Sequence, residues 1–327
     1  MKTVLSGIQP SGRPHLGNYF GAIRQHIALQ DGGHACFFFI ADYHALTTSR
    51  DPAKLREAVR DVAITYLALG LDPKRVALFR QSDVKAVTEI SWLLACVTGM
   101  GLLERAHSYK DKLAHGVKPS VGLFTYPILM AADILAYDSD LVPVGKDQIQ
   151  HVEMAQDMAG SFNAAFGEVF RRPEPFVPSA EKLAKVPGLD GEKMSKTYGN
   201  DVWIFESGKK LKSAVGKIAT DSRAPEEPKE PDEMLLFSFL ELFTDAATLE
   251  QWKARVRAGG EGAPGYGHIK AAIIEGMEAY FAPARARREE LLNDPAEVDR
   301  ILARGAETAC ARAALVRDRA LAACGLR

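Results

Sequence analysis

Thr3-Val-Leu-Ser-Gly-Ile-Gln-Pro-Ser-Gly-Arg-Pro-His-Leu-Gly-Asn18 begins with a short apolar run and breaks into a loop of glycine, proline and serine. Thr3 to Leu5 reads as a strand, and Gly17 to Gln30 repeats apolar residues at helical spacing, so the loop joins a strand to a helix. The same alternation continues outward. Ala35-Cys-Phe-Phe-Phe-Ile40 and Val76-Ala-Leu-Phe79 are strand candidates, and between them Pro52 to Leu69 sets Leu55, Val59, Val62, Ala63, Tyr66 and Leu67 on one helical face. Strand, helix and strand in this order predict an α/β fold, a Rossmann-like doubly wound parallel sheet. Such sheets bind ligands outside the carboxyl ends of their strands, so the loops after Leu5 and Ile40 are expected to face a site.

Further along, residues 85 to 137 read as helical almost throughout, a helical insertion within the sheet domain. Leu141-Val-Pro-Val144 supplies another short strand, and helix resumes over Gln150 to Phe166. The prolines of Arg172-Pro-Glu-Pro-Phe-Val-Pro178 enforce extended chain. Pro225, Pro228 and Pro231, set among acidic residues, mark an exposed connection. Beyond it Met234 to Phe243, Leu249 to Val256, His268 to Tyr280 and Ala296 to Leu321 carry helical periodicity without a strand pattern. The expected division is a catalytic domain over 1–204, with its insertion roughly within 85–185, and an all-helical C-terminal domain over 205–327.

Composition narrows the class. Of 327 residues, 47% are hydrophobic and 25% charged, and no apolar run is long enough to cross a bilayer, so a soluble cytoplasmic protein without a membrane partner is expected. The 41 basic and 42 acidic side chains nearly cancel, so no global field draws the chain to polyanions, and any RNA contact must use local clusters. Lys209, Lys210, Lys212 and Lys217 form one such cluster, and Arg285, Arg287 and Arg288 another. Each is more often a solvated helix face than a nucleic-acid footprint, so alone they decide nothing. Cys36, Cys96, Cys310 and Cys324 make no CxxC pair, which argues against a zinc site or a disulfide framework, and no metal ligands are assigned.

Two loops carry chemistry. The first holds neither GxxxxGK[ST] nor GxGxxG, so neither common nucleotide motif applies. It offers His15, Gly17 and Asn18: a donor, a position open to close approach and a second donor, at a helix start where phosphate meets backbone N–H groups. An ordinary strand-to-helix turn would use the same residues. The second, Gly191-Glu-Lys-Met-Ser-Lys-Thr-Tyr-Gly-Asn200, sets Lys193 and Lys196 on a glycine-bracketed loop, two cations suited to β and γ phosphates. Read alone it is equally a solvated lysine loop.

As a pair, HxGN after strand one and KMSK far downstream resemble the signature of class I aminoacyl-tRNA synthetases. Asn18 stands where that family usually has histidine and Thr197 where it commonly has serine, and each keeps a hydrogen-bonding group. Ser6 to Gly12, Gly17-Asn-Tyr-Phe-Gly-Ala22, Leu123-Phe-Thr-Tyr-Pro-Ile-Leu-Met-Ala-Ala-Asp-Ile-Leu135 and Val142-Pro-Val-Gly-Lys-Asp-Gln148 resemble bacterial tryptophanyl-tRNA synthetases. Glu104-Arg105, Lys110-Asp-Lys112, Thr220-Asp-Ser222 and Gly265-Tyr-Gly267 extend the similarity over most of the chain. Leu5 and Tyr43 depart from it, standing where phenylalanine and glutamine are common.

The resemblance implies a tryptophan–tRNA ligase using ATP with Mg²⁺, a homodimer with L-tryptophan and tRNA(Trp) as partners, and no role for DNA. It puts Asp133 beneath the indole N–H, Tyr126 and Gln148 at the substrate amino group, Met130 against the ring, and His44 in the same pocket. For ATP it implies Gln9, Pro10, Ser11, Gly17, Asn18, Gly145, Lys146, Asp147, Val186, Lys193, Met194, Ser195, Lys196 and Thr197, with Asn18, Lys193 and Lys196 acting in catalysis. The C-terminal helices would bind the anticodon and the insertion the second subunit. The alternatives are tyrosine specificity, a small-molecule nucleotidyltransferase, and a regulatory paralogue, which would be expected to lack Lys193, Lys196 or Asp133.

Overall fold

A computed structural model of the chain describes residues 1–106, 118–145, 148–177 and 186–326. Five parallel strands, β1 (Thr3–Ile8), β2 (Ala35–Ile40), β3 (Val76–Arg80), β4 (Leu141–Pro143) and β5 (Glu174–Phe176), form one sheet in the order β3-β2-β1-β4-β5. Strand order reverses between β1 and β4, which makes their carboxyl ends the switch point where doubly wound sheets take ligands. Pairing of Ile8 with Ile40 and of Ile40 with Arg80 levels the ends of three strands, so the segments starting at Gln9, Ala41 and Gln81 leave the sheet together. Residues 174–176, expected only to be extended, are a strand. Pro175 fits because β5 is an edge, where a missing N–H breaks no ladder.

The larger helices are α1 (Arg24–Asp31), α2 (Pro52–Ala68), α3 (Ala86–Ala95), α4 (Val121–Leu135), α5 (Ile149–Phe166), α6 (Gly208–Gly216), α7 (Ala246–Ala258), α8 (Tyr266–Asn293) and α9 (Pro295–Ala323). Local sequence explains their starts. Asp51 accepts from the N–H groups of Ala53 and Lys54 ahead of Pro52, and Ser120, Asp245 and Asp294 cap α4, α7 and α9 in the same way.

The chain divides into two compact units interleaved along the sequence: Met1–Arg13, Gln25–Pro178 and Glu290–Arg327 in the first, Pro14–Arg24 and Ser179–Glu289 in the second. The expected boundary at 204/205 does not follow this division, because α9 folds with the sheet. Its face of Val298, Ile301, Leu302, Ala306, Ala309, Ala313, Val316 and Ala320 is buried. Gly305 lies so close to β3 that a Cβ there would sit 2.0 Å from the Leu78 carbonyl oxygen. Arg312 and Arg319 donate to the carbonyls of Tyr137 and Val169, and both pair with Asp138. Helical periodicity reveals a buried face without saying what covers it, so the sequence did not separate α9 from the helices before it.

The second unit has its own aromatic core. Tyr19 and Phe20 meet Phe243, Tyr280 and Phe281 edge-on or tilted, and the Tyr19 and Tyr280 hydroxyls lie 2.8 Å apart. The segment directly after His15-Leu-Gly-Asn18 is thereby held in the unit that also contains the KMSKT loop.

Candidate active site

In the first unit the site is built around a buried acid. Asp133 lies on the last turn of α4 and is 2% exposed among apolar neighbours. A lone carboxylate there would be costly, and its partners offset that cost. Gln81, the first residue after β3, donates through Nε2 to both carboxylate oxygens at 3.0 and 2.8 Å. His44 Nε2 lies 2.9 Å from Oδ2. Gln81 Oε1 accepts from the N–H groups of Tyr43 at 3.1 Å and His44 at 3.4 Å, so one side-chain amide fixes both the acid and the turn that carries His44. Burial pushes the Asp133 carboxyl up, opposed by the hydrogen bonds from His44 and Gln81. A carboxylate offers about four lone-pair sites, and these contacts use three, leaving capacity for one further N–H.

A second network adjoins it. Tyr126, two turns before Asp133 on the same helix, has its hydroxyl 3.3 Å from His151 Nε2, and His151 Nδ1 lies 2.6 Å from Gln148 Oε1. With the Gln148 oxygen as acceptor, Nδ1 carries a hydrogen. Tyr126 and His151 are buried and Gln148 is exposed. Met130, between Tyr126 and Asp133, is part-buried against the main apolar cluster. A cavity of about 620 Å³ opens beside the network, with His44, Tyr126, Tyr43, Thr47, Trp92 and Leu129 in its wall; Asp133 itself is not in the lining. Leu5 is buried in the core and Tyr43 faces the cavity, so only the second departure from the resemblance reaches open space.

In the second unit the lysine loop is held by backbone. Asn200, 3% exposed, accepts from the Ser195 N–H at 2.8 Å and donates to the Lys193 carbonyl at 3.2 Å and to Asp190 at 2.8 Å. Asp190 in turn accepts from the Glu192 N–H, and this hydrogen bonding holds its carboxyl below the usual range, with Asn200 the largest contributor. Gly191 has φ 89°, a left-handed conformation that suits glycine. Ser195 caps the short turn Lys196–Tyr198 through the Thr197 N–H. Lys193 and Thr197 are exposed, Ser195 and Lys196 part-buried, and Met194 buried.

The same unit brings the first loop to this one. A Cβ on Gly17 would lie 3.7 Å from Met194 Cβ. Burial first, and Lys196 second, lower the His15 imidazole. His15 Nδ1 accepts from the Asn18 N–H while Asn18 Oδ1 accepts from the His15 N–H, a reciprocal cap that leaves the Asn18 NH₂ as donors.

The residues named from sequence therefore fall into two groups. Gln9, Pro10, Ser11, His44, Tyr126, Met130, Asp133, Gly145 and Gln148 belong to the first unit, and Gly17, Asn18, Val186 and the Lys193–Thr197 stretch to the second. Gln9, Ser11 and Gly145 are exposed, and Pro10 and Val186 are buried. Lys146 and Asp147 lie outside the described residues. Sequence reading missed Gln81, His151 and Asn200. Gln81 had a signal, a polar residue directly after a buried strand at the sheet's carboxyl edge. Of the two basic clusters, one is structural: Arg288 is buried over the rings of Trp203 and Phe205, and Arg285 donates to the Glu278 carbonyl. Lys209, Lys210, Lys212 and Lys217 stay exposed.

Residues 1–261 match the family described as tRNA synthetases class I (W and Y). A tryptophan–tRNA ligase from Rhodopirellula baltica is 56% identical over 327 residues, covering 99% of both chains. The solved tryptophanyl-tRNA synthetase of Campylobacter jejuni complexed with ADP and tryptophan is 47% identical, with a TM-score of 0.92 over 99% of this chain and 100% of that one. The enzyme from Mycoplasma pneumoniae gives a TM-score of 0.82 at 28% identity, over 100% of this chain and 98% of that one. Fold, buried acid and paired loops thus agree with these likenesses: the chain belongs to the class I tRNA synthetases of the tryptophan and tyrosine group, within its bacterial tryptophan–tRNA ligases.

Proposed function

We propose that the chain activates L-tryptophan with ATP and transfers it to tRNA(Trp), and that Asp133 selects the amino acid. The observation that carries this reading is the buried carboxylate with three hydrogen bonds and lone-pair capacity for a fourth. An indole N–H fills that place. Phenylalanine, which has no N–H, leaves a buried acceptor unpaired, and sites of this kind reject such analogues by roughly 10⁴-fold. Met130 packs against the ring, and Tyr126 and Gln148, tied through His151, orient the ammonium group.

The substrate carboxylate attacks the α phosphorus of ATP; a new P–O bond forms, the bond to the bridging oxygen breaks and pyrophosphate leaves. No protein nucleophile is required. Asn18 through its NH₂ and Lys193 and Lys196 through their ammonium groups hold the phosphates, with the backbone at Gly17 open to close approach. Gln9, Pro10, Ser11, Gly145 and Val186 contribute at adenine, ribose and phosphates. Among the described residues no group of three or more His, Cys, Asp or Glu is placed to hold a metal. Mg²⁺, bound with ATP through phosphate oxygens, would share the charge of the triphosphate. A ribose hydroxyl at the tRNA 3′ end then attacks the activated carbonyl and AMP departs.

The exposed lysines of α6 suit the tRNA backbone, and the helices of the second unit suit the anticodon stem. Trp92, which lines the cavity, and Met100 and Val121 are 71%, 62% and 80% exposed and suit coverage by a second copy. Among the described residues no helix is long and apolar enough to span a membrane. The decisive experiment is amino-acid-dependent ATP–pyrophosphate exchange with tryptophan and tyrosine in parallel. Exchange with tryptophan alone is expected; exchange with tyrosine alone overturns the specificity, and exchange with neither overturns the activity.

A further inference from the structure

The four cysteines form no sequence motif, yet the fold aligns two of them. α9 and α3 run in the same direction in the first unit. Cys310 Sγ lies 3.3 Å from the Asp83 carbonyl just ahead of α3, and Arg317 meets Glu89 at 3.2 Å. The next positions on the same faces, seven residues beyond Arg317 and Glu89 on the two helices, are Cys324 and Cys96. Two helical turns separate each from its predecessor, so the register carries over. Each is also the residue that ends its helix, Cys96 N–H bonding to the Trp92 carbonyl and Cys324 N–H to that of Ala320. Ala95 and Val97 at the end of α3 and Leu321 and Ala323 at the end of α9 pack against one apolar cluster, as does Cys324.

All four thiols are free, Cys96 exposed and Cys324 part-buried. Burial, and after it the neighbouring Cys96 sulfur, push the Cys324 thiol up. The other two sulfurs are placed differently. Cys36 is buried in β2 with its thiol pushed up to about 11, and Cys310 is engaged by the Asp83 carbonyl.

We propose that Cys96 and Cys324 form a redox-modification site, a reversible disulfide that staples the end of α9 to the end of α3. The oxidant class is a small disulfide such as oxidised glutathione. Cys96, the more exposed, attacks as thiolate; the small disulfide's S–S bond breaks and one thiolate leaves, taking up the proton that Cys96 lost. Cys324 thiolate then attacks the Cys96 sulfur, the mixed bond breaks, and the second small thiol leaves with the proton from Cys324. Two protein thiols are oxidised and one small disulfide is reduced to two thiols. The second step runs through the Cys324 thiolate, so closure accelerates about tenfold per pH unit while that thiol is mostly protonated.

The test treats the full chain with oxidised glutathione, blocks remaining thiols, and maps linked peptides by mass spectrometry without reduction. The expected result is loss of two thiols per chain and a peptide joining Cys96 to Cys324, reversed by dithiothreitol. The link should vanish in Cys96→Ser and in Cys324→Ser and persist in Cys310→Ser. Glutathione retained on Cys96 with Cys324 still free, a bond between Cys96 residues of two chains, or no thiol loss would each overturn the proposal.

Discussion

Asp133 and Lys193 mark two ways of arranging charge in one molecule. Asp133 is 2% exposed and held by side chains from the ends of two strands and a helix. Lys193 is exposed, and what is fixed is the backbone beneath it, through Asn200. The first arrangement suits recognition of a small group whose geometry never varies, since a buried acceptor discriminates by being costly to leave unpaired. The second suits a polyanion whose charge shifts during reaction, since an exposed ammonium on a fixed base can follow it. If this contrast is sound, damage to the two regions should separate cleanly into selection of the amino acid and use of ATP.

The largest effect should come from Asp133→Asn, which keeps the shape but turns one acceptor into a donor facing Gln81 and the indole. Tryptophan-dependent exchange should fall on the order of 10³-fold in kcat/KM, with KM for ATP nearly unchanged. A loss below tenfold would end the claim that this carboxylate does the selecting. Lys196→Ala should come next, lowering the single-turnover rate of adenylate formation by roughly 10²-fold or more while tryptophan affinity stays as it was. Loss of tryptophan affinity in that variant would erase the separation between the regions.

How much of this could be read from sequence also differs between the regions. β2 was legible to the residue, because six apolar residues between turn signals leave few alternatives. Lys193 and Lys196 were legible as two cations on a glycine-bracketed loop, a pattern that fits phosphate binding and a solvated loop alike. Asp133 was legible only as an acid among apolar neighbours. Its partner Gln81 lies 52 residues away and is brought to it by strand register, which no local pattern encodes. The same holds for α9: its buried face was plain and its partner β3 was not. The cluster holding Arg288 stayed undecided for a related reason, since basic residues look alike whether they meet phosphate or stack on Trp203.

The first unit's core offers a further test, because it buries a titratable group unrelated to either site. His26 stacks on Phe38 and Tyr66 with Nδ1 2.9 Å from the Tyr66 hydroxyl, and burial lowers it from 6.5 to about 4. Below pH 6.5 the unfolded chain binds a proton that the folded chain refuses until about pH 4. Stability is therefore full above pH 6.5 and declines as pH falls, by about 1.4 kcal/mol per pH unit and up to roughly 3 kcal/mol in all. Chemical denaturation of the parent and His26→Gln between pH 7 and 4.5 should show a steeper decline in the parent. Parallel slopes would mean that this core position does not resist protonation, and that acid sensitivity arises elsewhere.

The smallest effect probes how the lysine loop is held. Asn200→Ala removes the acceptor for Ser195 N–H and the donor to the Lys193 carbonyl, leaving the charges untouched. Each lost hydrogen bond is worth about 1 kcal/mol, so the two together should weaken ATP use by up to roughly 30-fold, in KM for ATP or in the adenylation rate. Asn200→Asp sharpens the point. It preserves the acceptor for Ser195 but sets a carboxylate where the amide now lies 2.8 Å from Asp190. Repulsion should make it worse than alanine above the range where carboxylates ionise, and the difference should shrink as pH falls and Asp190 or its new neighbour takes up a proton. Tryptophan binding, followed by fluorescence quenching in the absence of ATP, should be the same in both variants and the parent. A change there would show that the loop's backbone and the amino-acid pocket are energetically coupled, and the contrast between a fixed acceptor and a fixed base would give way to one shared device.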